Sequence, residues 1–345
     1  MEKPMIKLIL DCFGGDNSPN AHVKGALLAL EELDDLDLTL TGDEAAIMKE
    51  LEGKKYDAAR LHVIHAPEVI GCDETPTLAI KQKKQSSLMK AIELIRADDG
   101  YHGVITTGST GALVAAATLR IGRIRGVKRP AFCPLLPTMN GGIVGVCDSG
   151  ANVDVSVRML CEFAIMGTMY LKCAYGIENP RAALLNIGEE EGKGDELRKS
   201  AYPVLKGMES VNFAGNMESR DLLSGKYDLV VCDGFSGNVL IKSTEGACLE
   251  MLKKLKKDIY SRTINKIGAL LMKKMFDEEK RFMDYRNYGG SVLLGCRKIV
   301  VKGHGSSNDI SVLRCVEQAY RMQKSGMIKL TADAVEAFAG TVPEE

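Results

Sequence analysis

The stretch Asp228–Gly246, DLVVCDGFSGNVLIKSTEG, decides how the rest of the chain is read. An apolar β-type run, Leu229, Val230 and Val231, delivers the backbone into Asp233-Gly234-Phe235-Ser236-Gly237-Asn238, and a helical pattern starts at once. A strand that stops at a glycine-rich corner and feeds a helix presents unpaired N–H groups and the positive end of a dipole. Such a corner is a ready anion site, and phosphate is the anion it most often holds. The same device recurs at Asp11–Asn17 (DCFGGDN), at Gly108–Gly111 (GSTG) and at Asp148–Asp154 (DSGANVD). One corner alone is more readily a tight turn than a site; their recurrence predicts a site assembled from several strand ends.

Outward from these corners, short β-branched runs alternate with amphipathic helical stretches. The runs predict strands over 5–10, 37–41, 61–64, 103–106, 131–136, 143–146, 182–185, 228–231 and 298–301. Ser18-Pro19 and Thr75-Pro76 each set a capping hydroxyl before a proline at the first helical position. Alternation of this kind implies a doubly wound α/β fold, a mostly parallel sheet with helices on both faces. With no internal repeat and no low-complexity linker, residues 1–340 are expected to form a single domain.

One segment, about 247–285, breaks the rhythm with two consecutive helical patterns and no strand between them. In the second pattern Ile264, Ile267, Leu271 and Met275 fall close to one face, and Leu270 and Met272 widen the apolar stripe. Lysines crowd its flanks at Lys253, Lys254, Lys256, Lys257, Lys266, Lys273 and Lys274. This predicts a projecting helical hairpin, either a dimer arm or, at its tip, a basic amphipathic contact with a membrane surface; the two roles are compatible.

Bulk composition narrows the class. The 345 residues are 45% hydrophobic, enough for a sizeable core, yet no apolar run reaches the length of a membrane span. Ten scattered cysteines without a C-x-x-C, and a start that passes from Lys3-Pro4 straight into a strand, lead to the expectation of reduced thiols in the cytoplasm. A net charge of -1 argues against generic nucleic-acid binding. His62 and His65 flank a short run without zinc-ligand spacing, and Glu189-Glu190-Glu191 reads as a solvated loop. No metal site is expected.

Taken together, the motifs resemble one family closely. They are DCFGGDNSP (11–19), KQKKQSSLMKAI (81–92), GSTGALVAA (108–116), GRIRGVKRPA (122–131), DSGANVDV (148–155), LLNIGEEEGKG (184–194), FAGNMESRDLL (213–223), DGFSGNVLIKSTEG (233–246), YGGSVLLG (288–295) and GHGSS (303–307). Nearly the whole chain is similar to the phosphate acyltransferases that make acyl phosphate from acyl-ACP and inorganic phosphate early in bacterial phospholipid synthesis. The resemblance implies a fold like that of phosphate acetyltransferases and isopropylmalate dehydrogenases, a homodimer, and no metal or nucleotide cofactor. It also implies a downstream glycerol-3-phosphate acyltransferase and a cytoplasmic location, peripheral to the membrane if the hairpin tip touches it. The chain departs from the family pattern at Ser109, where Asn is usual, and at Ser291-Val292, where Ala-Pro is usual.

Attack of phosphate on a thioester needs little covalent help, because the dianion is already nucleophilic and thiolate leaves well. Orientation and preorganised charge should dominate. The expected phosphate cradle is Gly14, Gly15, Ser109, Thr110, Gly111, Ser236 and Gly237, with Lys81, Lys84 and Lys242 as cations and the amides of Asn152 and Asn238 as donors. Asn238, Lys242 and His304 are the expected catalytic residues, the imidazole being able to protonate the leaving sulfur. The aspartates 11, 16, 148, 154 and 233 read as caps and loop staples, and Cys12 and Cys232 as small buried residues rather than nucleophiles.

ACP is acidic, so a basic docking surface is expected at Arg120, Arg123, Arg125, Lys128 and Arg129, with the hairpin lysines as a second choice. Three rivals remain at this point. A phosphate acetyl- or butyryltransferase would act on acyl-CoA. A nicotinamide-dependent dehydrogenase would need a dinucleotide fingerprint that is not present. A non-catalytic membrane-associated scaffold would use only the hairpin.

Overall fold

The computed structural model describes residues 4–97, 100–282 and 288–339. Its strands are β1 (Ile6–Asp11), β2 (Leu36–Gly42), β3 (Leu61–His65), β4 (Tyr101–Thr106), β5 (Ala131–Cys133), β6 (Leu135–Pro137), β7 (Ile143–Cys147), β8 (Arg181–Asn186), β9 (Asn212–Glu218), β10 (Leu229–Val231), β11 (Ser291–Leu294) and β12 (Ile299–Lys302). They form two sheets, β3-β2-β1-β4-β12-β11-β5 and β6-β7-β10-β8-β9. Pairing is parallel except where β11 meets β12 and β5, and where β6 meets β7. The α/β class and the mostly parallel pairing are as expected.

The sequence pattern anticipates one sheet, and proline is part of the reason for two. The apolar run 131–136 looks continuous but breaks at Pro134, which has no N–H to give to a ladder. Its halves, β5 and β6, join different sheets. Two strands escape the pattern. β9 is NFAGNME, an edge strand that carries Gly215 at φ +94° and shifts register against β8. β11 is four residues long and follows directly on Gly289-Gly290.

Strands β1 and β2 are covered on both faces; β1 (IKLILD) reads as a mostly apolar run, whereas β2 (LDLTLTG) alternates and buries Thr39 and Thr41 as well as its leucines. The helix Val157–Tyr175 is apolar almost all round and packs against strands of both sheets as well as the helices Glu196–Lys206, Asp309–Lys324 and Met327–Ala339. Gly167 lets it approach β10, since a Cβ there would lie 2.6 Å from Leu229.

Two helix starts differ from expectation. The first helix begins at Asn20, and the Ser18 hydroxyl accepts a hydrogen bond from the Gly15 N–H at 3.1 Å instead of capping. Pro76 does open the helix Pro76–Gln82, but the Thr75 hydroxyl makes no capping bond.

The largest difference concerns the arm. The helix that leaves the Asp233 corner does not end before Ala247; it continues unbroken from Gly234 to Ser261. Gly246 alone weakens it by only about 1 kcal/mol, too little to stop it. Beyond Ile241 none of its residues is buried. Two shorter helices follow, Thr263–Leu271 and Lys273–Phe282, so Met275 lies on a different helix from Ile264, Ile267, Leu270 and Leu271. All five of these apolar side chains are exposed, Leu271 by 83%. Residues 283–285 of the expected hairpin lie outside the described residues.

Candidate active site

In the larger sheet the strand order reverses between β1 and β4, and in open α/β sheets ligands collect beyond the strand C-termini at such a reversal. A cavity of about 360 Å³ opens one strand along, beyond the C-termini of β4 and β12. One wall comes from the ends of β4 and β12, with Thr107, Gly108, Lys302, Gly303, His304 and Ser307. The opposite wall comes from Ser149 after β7 and from Asn238, Lys242 and Glu245 on the long helix. Both sheets therefore contribute to one cleft.

Three aspartates build the corners. Asp148 is fully buried, and its carboxylate accepts from the N–H groups of Phe132, Ser149, Gly150, Ala151 and Asn152 at 2.6–3.2 Å. Burial pushes its pKa up, and these donors restrain the rise. Asp233 caps the long helix through the Ser236 N–H at 2.7 Å and pairs with Arg198 at 2.7 Å. Burial opposes ionisation there, but the bonds from Ser236 and Arg198 win and hold the carboxyl below its ordinary range. Asp11 accepts from the Thr106 hydroxyl at 2.7 Å and from the Phe13 N–H at 3.2 Å, and burial raises it to about 6.

The cations differ in setting. Lys302 is half-buried; its ammonium donates to the carbonyl of Thr107 at 3.1 Å and to that of Gly303. Desolvation lowers its pKa, while Asp11 is among the groups working the other way. Lys242 is more exposed and sits 3.5 Å from Glu245. The Nδ1 of His304 accepts from the Ser306 N–H at 3.2 Å, so the neutral ring carries its proton on Nε2. Desolvation, then the charges of Lys302 and Lys242, lower the His304 pKa and favour that neutral form.

The cavity thus brings together Asn238, Lys242, His304 and Thr110 from the residues proposed on sequence. The others stand elsewhere. Gly14 and Gly15 form the tight corner behind Gly108 and Thr107, where a Cβ would fall 2.8 Å and 2.3 Å from those residues. Ser109 caps its own helix through the Ala112 N–H. Gly111 packs on Pro76, and Gly237 on the Asp148 carbonyl. The Asn152 amide donates to the Pro130 carbonyl at 2.8 Å and to Asp148 at 2.9 Å. Ser236 faces a separate groove with Arg198 and Phe235, and Lys81 and Lys84 are exposed away from the cavity.

Cys12 and Cys232 are buried, with thiols that burial pushes well above their ordinary range. Such thiols are poor nucleophiles. Sequence reasoning passed over Lys302, Thr107, Ser149, Glu245 and Ser307. A lysine ending the β-branched run IVVK immediately before GHGSS was the available signal.

The basic side chains Arg120, Arg123, Arg125, Lys128 and Arg129 are all exposed. Their loop is held from beneath. The Lys128 N–H donates to Glu162 at 2.7 Å, and buried Glu162 pairs with Arg158 at 3.0 Å. The same loop runs into β5, whose Phe132 lines the cavity.

Residues 6–330 match a family model described as fatty acid synthesis protein. Phosphate acyltransferases of Clostridium acetobutylicum and Bacillus cereus are 42% and 41% identical over 93% and 96% of this chain, and 96% and 98% of their own lengths. The chain belongs to the phosphate acyltransferase family. Among solved structures, its fold is similar to a phosphotransacetylase from Streptococcus pyogenes, with a TM-score of 0.60 at 16% identity, covering 96% of this chain and 94% of that one. A branched-chain phosphotransacylase from Enterococcus faecalis gives 0.56 at 15% identity, over 92% and 98%. As a phosphate acyltransferase the chain is a transferase of fatty-acid and phospholipid synthesis, and the cleft suits that chemistry. It offers cations, hydroxyls and an imidazole around an opening with an apolar side of Phe132, Leu135, Leu136 and Ile241. Among the described residues no cluster of three or more His, Cys, Asp or Glu could hold a metal ion.

Proposed function

We propose that this protein transfers a long-chain acyl group from acyl-ACP to inorganic phosphate. A phosphate oxygen bonds to the thioester carbonyl carbon, the carbon–sulfur bond breaks, and the sulfur leaves with the electron pair and takes a proton. The observation that carries the reading is the cleft itself, of about 360 Å³, in which Lys302, Lys242 and His304 share the lining with the apolar side chains of Phe132, Leu135, Leu136 and Ile241. Lys302 and Lys242 oppose the phosphate charge, Asn238 orients a reactant, and the Nε2–H of neutral His304 gives the departing thiolate a hydrogen bond, the sulfur taking its proton from water. Catalysis is by positioning, with no acyl-enzyme.

ACP is the preferred carrier because Arg120, Arg123, Arg125, Lys128 and Arg129 are exposed just before β5, whose Phe132 lines the cleft, and suit an acidic partner. The arm has the exposed apolar stripe and lysines that suit a twin subunit along the long helix and an anionic membrane surface at the tip. No helix among the described residues is long and apolar enough to cross a membrane, and the contact we propose is a peripheral one. The acyl phosphate would pass to a glycerol-3-phosphate acyltransferase.

The test is palmitoyl-ACP with inorganic phosphate, followed by phosphorus NMR. A phosphate-dependent acyl phosphate signal is expected, lost when ACP is replaced by CoA. Equal use of palmitoyl-CoA would remove the ACP assignment, and no product from either would leave the scaffold reading.

A further inference from the structure

Five buried side-chain polar atoms find no hydrogen-bond partner among the described residues: His22 Nδ1, Thr168 Oγ1, Asn216 Oδ1, Ser307 Oγ and Thr331 Oγ1. Of their residues only Ser307 lines the cavity. An unpartnered buried hydroxyl costs about 1–3 kcal/mol, so native proteins seldom keep one without a use. Ser307 is 2% exposed. Its backbone N–H closes a turn onto the His304 carbonyl at 3.0 Å, and Asn17 donates to its carbonyl at 3.0 Å. The residue is fastened on both sides while its hydroxyl is left over.

A helix start and a lysine stand beside it, with Asp11 and Asp16 as the carboxylates that act on this corner from behind Lys302 and His304. The helix Asp309–Lys324, capped by Asn308, begins two residues later, and its positive end favours an anion. Lys302 spends two of its three N–H donors on the carbonyls of Thr107 and Gly303, leaving one. Gly303 keeps the floor open between these groups. A Cβ there would stand 2.9 Å from Thr107 Cγ2 and 3.4 Å from Ser307 Oγ. The cavity's carboxylate, Glu245, lies on the opposite wall beside Lys242.

We propose that Ser307 and Lys302 form the subsite for the phosphate, the hydroxyl donating to one oxygen and the ammonium to another. This deepens the phosphate-transfer reading and rests on it. The corner at Lys302–Ser307, rather than the one at Ser236–Asn238, is then where the anion sits. At the latter, Asp233 and Arg198 already satisfy each other.

Ser307→Ala is a clean probe, because it removes an atom that finds no hydrogen-bond partner among the described residues. The apparent KM for inorganic phosphate should rise roughly tenfold, the worth of one hydrogen bond to a charged group. The melting temperature should hold or rise. Lys302→Met should raise the phosphate KM at least as far. Turnover by Ser307→Ala with an unchanged phosphate KM would overturn the subsite while leaving phosphate transfer intact. A wild-type protein that makes no acyl phosphate would overturn both. A Ser307→Ala protein that melts well below wild type would show that the hydroxyl has a structural partner, which also defeats the proposal.

Discussion

Asp11 ties the pH dependence of stability to the cleft. Its carboxyl is 1% exposed and raised from 3.8 to about 6 by burial, with Lys302 nearby as a partial counter-charge. Because the folded value lies above the unfolded one, the proton bound by Asp11 stabilises the fold. That contribution is complete below pH 3.8 and is lost as the pH rises through about 6. The whole shift is worth about 3 kcal/mol, at about 1.4 kcal/mol per unit. Between about pH 5 and about pH 8, roughly 1.3 kcal/mol of it should disappear. Asp11→Asn is the reference, since the amide does not titrate and its oxygen can still accept from Thr106 or Phe13. Urea midpoints of both proteins across this range, converted with their m-values, give the difference curve; groups common to both cancel. Wild type should gain on the variant as the solution is acidified. A flat curve, or one in which wild type gains on going alkaline, would refute the account of Asp11 as a desolvated carboxyl.

Other outcomes follow from the same geometry. Asp148→Ala strands several buried N–H donors and should cost roughly 3 kcal/mol or more in denaturant stability; a loss under about 1 kcal/mol would mean the loop holds itself. In the native protein a thiol reagent should label exposed Cys72 quickly and reach Cys12 and Cys232 only on unfolding. Rapid labelling of Cys232 would reopen a covalent route. Leu271→Ser with Met275→Ser should cut sedimentation with anionic vesicles about tenfold or more, given about 1.5–3 kcal/mol per buried side chain. Undiminished sedimentation would confine the arm to protein contacts.

Two features of the chain could be read without coordinates, because they rest on local physics. Apolar runs of strand length beside amphipathic helices specify α/β, and Gly-rich corners specify strand-to-helix turns whatever packs around them. That Asn238, Lys242 and His304 stand near strand ends, where they line the cavity, was legible for that reason: each sits in or just after such a corner. The identities of the other site residues were not. Lys302 and Ser307 line one cavity with Asn238 only because β12 is inserted beside β4 and elements of the second sheet reach the same cleft, an arrangement set by contacts far apart in sequence. The glycines at 14, 15, 111 and 237 look like ligand loops in one dimension; that they are also points of close approach between backbone and neighbouring residues shows only in three. The break of 131–136 into two sheets depends on which partners its halves find once Pro134 interrupts the ladder. The run of the long helix past Ile241 is the opposite case: with none of its residues buried there, local sequence carries it on past Gly246. Local sequence determined the kinds of element and the type of turn between them. Tertiary packing decided which turns enclose the cleft and which merely hold it together.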